Sequence, residues 1–301
     1  MSVWKKLVLV TVIGAFAIAG QAMTENKKAN KFFTKAMEAV QKSDLEKAEV
    51  QFTKALEQDP AFYEAHLEYG RMLALNGRYD EAKQQLNQAM DMAPAEDLTA
   101  IGLLYAIARE ENNLDDQAAY TILKLEKLGD KATPNDIGRV DAIGVTFAQN
   151  GQMEKAESTY RKLIELHPEY AYGYLNLGKI FLFMQKDQKK AVATFEQAVE
   201  KGIDNEEMDY ILGMIYHDAD QYEKALPLLK KALGKTEYRK DVLPMVINCQ
   251  ITLEDLEGAK ASCETYLDEF PASESRKQVQ DRLDKIENNL KVLAEKDAGA
   301  K

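Results

Sequence analysis

The feature that most constrains this chain is a 34-residue period. Ala48, Phe52, Ala55 and Pro60 recur 34 residues on as Ala82, Leu86, Ala89 and Pro94. The same order of small, large, small-or-large and, at some ends, proline returns at Ala156, Tyr160, Leu163 and Pro168. It continues at Ala191, Phe195 and Ala198, then Ala225, Leu229 and Ala232, and closes at Ala259, Cys263, Tyr266 and Pro271. From Pro168 to Pro271 the register gains one residue over three periods, and the loop Lys186-Asp187-Gln188 is where the sequence places it. A second motif precedes each segment: His66-x2-Tyr69-Gly70-x2-Leu73, Val140-x2-Ile143-Gly144-x2-Phe147, Tyr174-x2-Leu177-Gly178-x2-Phe181 and Asp209-x2-Leu212-Gly213-x2-Tyr216. Offsets of three and four put these residues on one helical stripe. Glycine at the crowded point admits the partner helix, with the facing alanine expected against it.

Turns such as Asn76-Gly77-Arg78 and Asn150-Gly151-Gln152 separate the two helices, and prolines end the second. One period is therefore a helical hairpin whose apolar stripe is buried only by stacked neighbours.

These residues resemble the tetratricopeptide repeat family. The resemblance implies an all-α fold, a right-handed superhelical solenoid of about seven hairpins. Six copies span 29–62, 63–96, 137–170, 171–204, 206–239 and 240–273, with 97–136 a degenerate seventh in which Pro94 and Pro134 lie 40 apart. Beyond Pro271 the period stops. Ser275-x-x-Gln278 offers a capping box, and Val279, Leu283, Ile286, Leu290 and Leu293 form a stripe among charges. Residues 275–296 read as a C-terminal capping helix, with a short dimerising coiled-coil seam as the alternative. Residues 297–301 read as a disordered tail.

At the other end, Lys5 and Lys6 precede the apolar run Leu7 to Ala19. Residues 1–22 read as a secretory signal peptide, cut after Ala19 or Ala22, or as an uncleaved membrane anchor. Either implies export, most simply to a bacterial periplasm or to its membrane face. Any contact with a membrane would run through that anchor.

The chemistry-bearing residues are sparse. Fifty acids against 39 bases give −11, and losing Lys5 and Lys6 with the leader takes this to −13. So acidic a chain is a poor nucleic-acid binder. The three histidines fall in separate repeats without companion ligands; His66 sits at a core position. No phosphate loop, nucleophile elbow or HExxH motif occurs. We expect no catalytic residues, no metal site and no cofactor. Cys249 and Cys263 lie one on each helix of the last hairpin; the reading leans to free thiols, with a disulfide the alternative.

What remains is surface. In the resembled family the first helices line a concave groove whose contacts come from set positions of each repeat. Here those positions bring Phe33, Met37, Leu67, Arg71, Leu75, Tyr172, Leu175, Lys179, Phe183, Tyr210, Met214 and His217. Val145, Leu182, Asn248 and Ile251 stand at further positions of this kind. Tyr172, Phe183 and Tyr210 carry most weight, because large aromatics on an exposed wall need a reason. The Lys-and-Asn pair by which some members clamp a terminal carboxylate is matched in none of the repeats. The function expected is a non-enzymatic scaffold holding a segment of another envelope protein. The alternatives are self-assembly, or an accessory subunit of an envelope polysaccharide or secretion machine.

Overall fold

A computed structural model describes residues 24–234 and 236–299, and every regular element among them is helical. The leader read at 1–22 lies outside the described residues. Hairpins follow one another: α1 Lys27–Gln41 with α2 Leu45–Gln58, α3 Tyr63–Leu75 with α4 Tyr79–Met92, and α5 Thr99–Glu110 with α6 Leu114–Leu128. The pattern continues through α7 Pro134–Gln149, α8 Met153–Leu166, α9 Ala171–Lys179, α10 Gln188–Glu200, α11 Glu206–Asp218 and α12 Tyr222–Ala232. It ends with α13 Thr236–Thr252, α14 Leu256–Glu269 and a single long α15 Arg276–Gly299. Residues 297–299, expected in a tail, are thus helical. The chain forms two compact units that divide within α7, between Phe147 and Ala148.

Each turn between a first and a second helix carries one residue with positive φ: Ser43, Gly77, Asn112, Gly151, Lys186, Asp220 and Glu254. Only two are glycine, so five side chains accept the left-handed conformation to close the helix before them. The closure is a backbone bond reaching five residues back, as in Asp44 N to Ala39 O at 2.9 Å and Asp255 N to Gln250 O at 2.8 Å. Side chains then start the next helix: Asp44, Asn113, Asp187 and Asp255 each accept from a first-turn amide.

One turn differs. Asp187 N reaches Phe181 O, six residues back, because Ile180–Met184 is a π-helical turn continuing α9. The surplus residue expected in the loop Lys186-Asp187-Gln188 is therefore absorbed inside the helix. Helix packing corrects a second detail. The nearest partner of three motif glycines is the large residue of the second helix, ahead of the alanine: Leu86 for Gly70, where Ala82 O also approaches, Phe195 for Gly178 and Leu229 for Gly213.

The first unit buries one continuous core running from Ala29 to Ile107, with Phe33, Phe52, Phe62, Leu73 and Leu86 at its centre. In the second unit, Val279, Leu283 and Ile286 of α15 close over Leu243, Ile247, Cys263 and Tyr266 of the last hairpin. Arg276 ties the start of α15 to α14 by donating to the Leu267 carbonyl at 2.6 Å. The buried stripe fades at Leu290, and Leu293 is exposed. Both cysteines are free and buried.

Candidate interaction surface

The twelve residues read as a groove separate into two groups. Phe33, Met37, Leu67, Arg71 and Leu175 are buried, and that corrects their assignment to an open wall. The reason is packing. Phe33 lies between the rings of Phe52 and Phe62, at centroid distances of 6.2 and 5.0 Å. Met37 and Leu67 belong to the same core, where each apolar side chain gains roughly 1.5–3 kcal/mol by leaving water. Arg71 is held by Glu68 one turn earlier, Nε to Oε2 at 3.3 Å. Burial pushes the Glu68 carboxyl up, against the pull of Arg71. Leu75 is half-buried.

The second group is in the second unit. Tyr172 is 52% exposed and Phe183 55% exposed, both on α9 and its π turn. Lys179, Tyr210, Met214 and His217 are half-buried. Three of these four tie one first helix to the next. Lys179 Nζ meets Glu207 Oε1 of α11 at 2.8 Å. The Tyr210 ring stacks on Tyr238 of α13 at 4.9 Å and 13°. Asn248 of α13 contacts His217 Nε2 at 3.1 Å, and the same imidazole stands edge-on to Tyr222. These residues both join neighbouring hairpins and leave one flank to solvent.

The π turn shapes the exposed end of this face. An extra residue per turn rotates the residues after it, and Phe183 and Met184, each 55% exposed, stand in solvent just before the turn at Lys186. Their burial in a partner would be favourable, since large apolar groups left in water are costly. Met184 was missed from sequence because no repeat position points to it. Tyr238 was missed because the last copy, which lacks the glycine motif that marks the register, reads as 240–273, whereas its first helix starts at Thr236.

Buried polar slots follow the repeat too. His66 Nε2 donates to the Pro60 carbonyl at 3.0 Å, and the Tyr174 hydroxyl donates to the Pro168 carbonyl at 3.1 Å, each six residues back. The core role read for His66 is thus that of a strut for the preceding loop. Asp209 holds the equivalent place in α11, 2% exposed, and its Oδ1 has no hydrogen-bond partner. Burial, with Asp204 and Glu206 adding to it against Lys231, pushes its carboxyl up to about 6.

Three segments, 33–97, 142–206 and 189–240, match the family profile described as Tetratricopeptide repeat, and together they cover more than half of the chain. The chain belongs to the tetratricopeptide repeat family. Among its relatives is human Tetratricopeptide repeat protein 6, 26% identical over 160 residues, 53% of this chain and 29% of the relative. The BBSome complex member BBS4 homolog of Drosophila melanogaster is 23% identical over 203 residues, 67% of this chain and 40% of that one. This repeat chain therefore spans less than half the length of these curated relatives. A tetratricopeptide repeat protein from Parabacteroides merdae, known from its crystal structure, aligns over 86% of this chain and 99% of its own at 14% identity, with a TM-score of 0.34.

Proposed function

We propose that the chain is a non-enzymatic scaffold of the cell envelope that holds a segment of another protein against the first-helix face of its second unit. The family supports protein–protein interaction as the class of activity. The observation that carries the site is the exposure of Tyr172, Phe183 and Met184 along α9 and its π turn, with Lys179 between them. Aromatic and methionine side chains are what interface cores use, and they are expensive to leave in water. A segment with apolar anchors would satisfy the patch, with Lys179, held by Glu207, at its edge. Placement outside the cytoplasm rests on the basic start and apolar run of the first nineteen residues.

The test is a photo-crosslinker at position 183 in living cells, beside the same group at Val50, which is 50% exposed on the second helix α2. The expected result is a discrete adduct at 183 that is absent at 50 and lost in Tyr172→Ala. Equal capture at the two positions would remove the face in α9 as the binding site.

A further inference from the structure

The third hairpin breaks the repeat. Its surplus residues are taken up by the connection before α5 and by the 3-10 turn Gly129–Lys131 before α7. The family match stops at 97 and resumes at 142, so this same stretch is where the chain leaves the common pattern. Departures of this kind from an otherwise consistent sequence are where specific sites are found. Here the departure opens a cavity of about 440 Å³ between α5, α6 and α7, all within the first unit. That volume falls in the range of about 300–1,000 Å³ of small-molecule pockets.

Its walls are apolar on one side and charged on the other. Leu98, Tyr105 and Tyr120 provide the apolar surface, and Gly102 keeps it open: a Cβ there would meet no atom within 4 Å. The three lining carboxylates are already engaged. Asp136 accepts from Lys124 at 2.7 Å and from Thr133, Asp97 accepts from Tyr63 and from the Thr99 amide, and Glu96 accepts from Lys131 at 2.8 Å. Although burial raises Asp136, its bonds from Lys124 and Thr133 prevail and hold it at about 2. Arg139 is different. Its guanidinium lies 5.9 Å from the Tyr105 ring centroid and has no carboxylate partner among the described residues.

We propose that this cavity binds a small organic monocarboxylate with an apolar body, the carboxylate paired with Arg139 and the body set against Leu98, Tyr105 and Tyr120. The Arg139 guanidinium, exposed at the rim beside Tyr105, can present two parallel donors to a carboxylate. An amine would have to compete with Lys124 and Lys131 for acids that are taken. A neutral ligand would leave the guanidinium donors unused. The site is separate from the exposed face of α9, and neither depends on the other.

The test uses phenylacetate, indole-3-acetate and hexanoate as probes, with phenylacetamide as the neutral isostere, titrated calorimetrically into the full chain. Ligands of about ten heavy atoms reach millimolar dissociation constants at ordinary efficiency. At least one acid is expected to bind in that range, with the amide roughly tenfold weaker. Arg139→Gln should erase the preference for acid over amide. Gly102→Leu should abolish binding of both by filling the space, and a leucine is a better helix former than glycine. Should Gly102→Leu fail to fold, the comparison of acid with amide in Arg139→Gln decides alone. No saturable binding by any of the three acids up to about 10 mM overturns the proposal. So does an acid bound no better than its amide, or a preference that survives Arg139→Gln.

Discussion

Gly178 of α9 faces the ring of Phe195 of α10 so closely that a Cβ at 178 would stand 2.1 Å from Phe195 Cε1. The equivalent contacts of Gly70 with Leu86 and of Gly213 with Leu229 are looser, at 2.7 and 2.9 Å, and leucine is the more yielding neighbour. A fully buried phenylalanine ring has nowhere to go. Gly178→Ala should therefore cost about 1–3 kcal/mol through overpacking. Gly102→Ala, opening on empty space, should cost nothing and gain helix propensity. Urea midpoints of the two variants check the contrast, and equal midpoints would mean that the hairpin seam is not where Gly178 places it.

The buried Asp209 sets a pH dependence. Its carboxyl is pushed up to about 6 from 3.8, chiefly by burial, so the folded chain holds a proton that the unfolded chain releases. The stabilisation is complete below about pH 4 and is lost as pH rises through 6. Asp209→Asn removes that loss. The variant should be more stable than the native chain at pH 7 by about 1–3 kcal/mol, with the difference shrinking as the pH falls to 4. Parallel denaturation curves at pH 4, 5.5 and 7 measure the difference, and a gap independent of pH would refute the assignment.

Cys249 and Cys263 are free and fully buried, and burial raises both thiols to about 11. Thiol reagents act on the thiolate. Native protein at pH 8 should react slowly, and protein unfolded without reductant should show two thiols per chain. Recovery of none on unfolding would establish a disulfide instead.

The stacked pair Tyr210 and Tyr238 joins α11 to α13. A double-mutant cycle with leucine at both positions should give a coupling of about 0.5–1.5 kcal/mol. Phe183→Ala, by contrast, removes a side chain 55% exposed and should shift stability by no more than about 0.5 kcal/mol. If Phe183→Ala lowers the urea midpoint as much as Gly178→Ala, the residue is structural and the proposed face loses its anchor.

The hairpins were legible in the sequence because their determinants are local and repeated. Alanine and glycine at fixed offsets mark where two helices approach, and prolines mark where the second helix ends. Which wall residues remain open was not legible. Phe33, Leu67 and Leu175 hold the same place in their repeats and are all buried, whereas Tyr172, three residues before Leu175, is 52% exposed. The rings of Phe52 and Phe62 enclose Phe33, and only the packed neighbours show that this place in the repeat faces the core and not the groove.

What the sequence determined by itself is the repeating unit, the number of hairpins and the helix that closes the last one. All arise from short-range spacing and the need to bury an apolar stripe. Only the tertiary structure decided where surplus residues go. One became a π turn that leaves Phe183 and Met184 in solvent, and others opened the cavity beside Arg139. An insertion can be accommodated in a loop or in a helix at similar local cost. The packing of neighbouring hairpins, several turns away along the chain, selects between them.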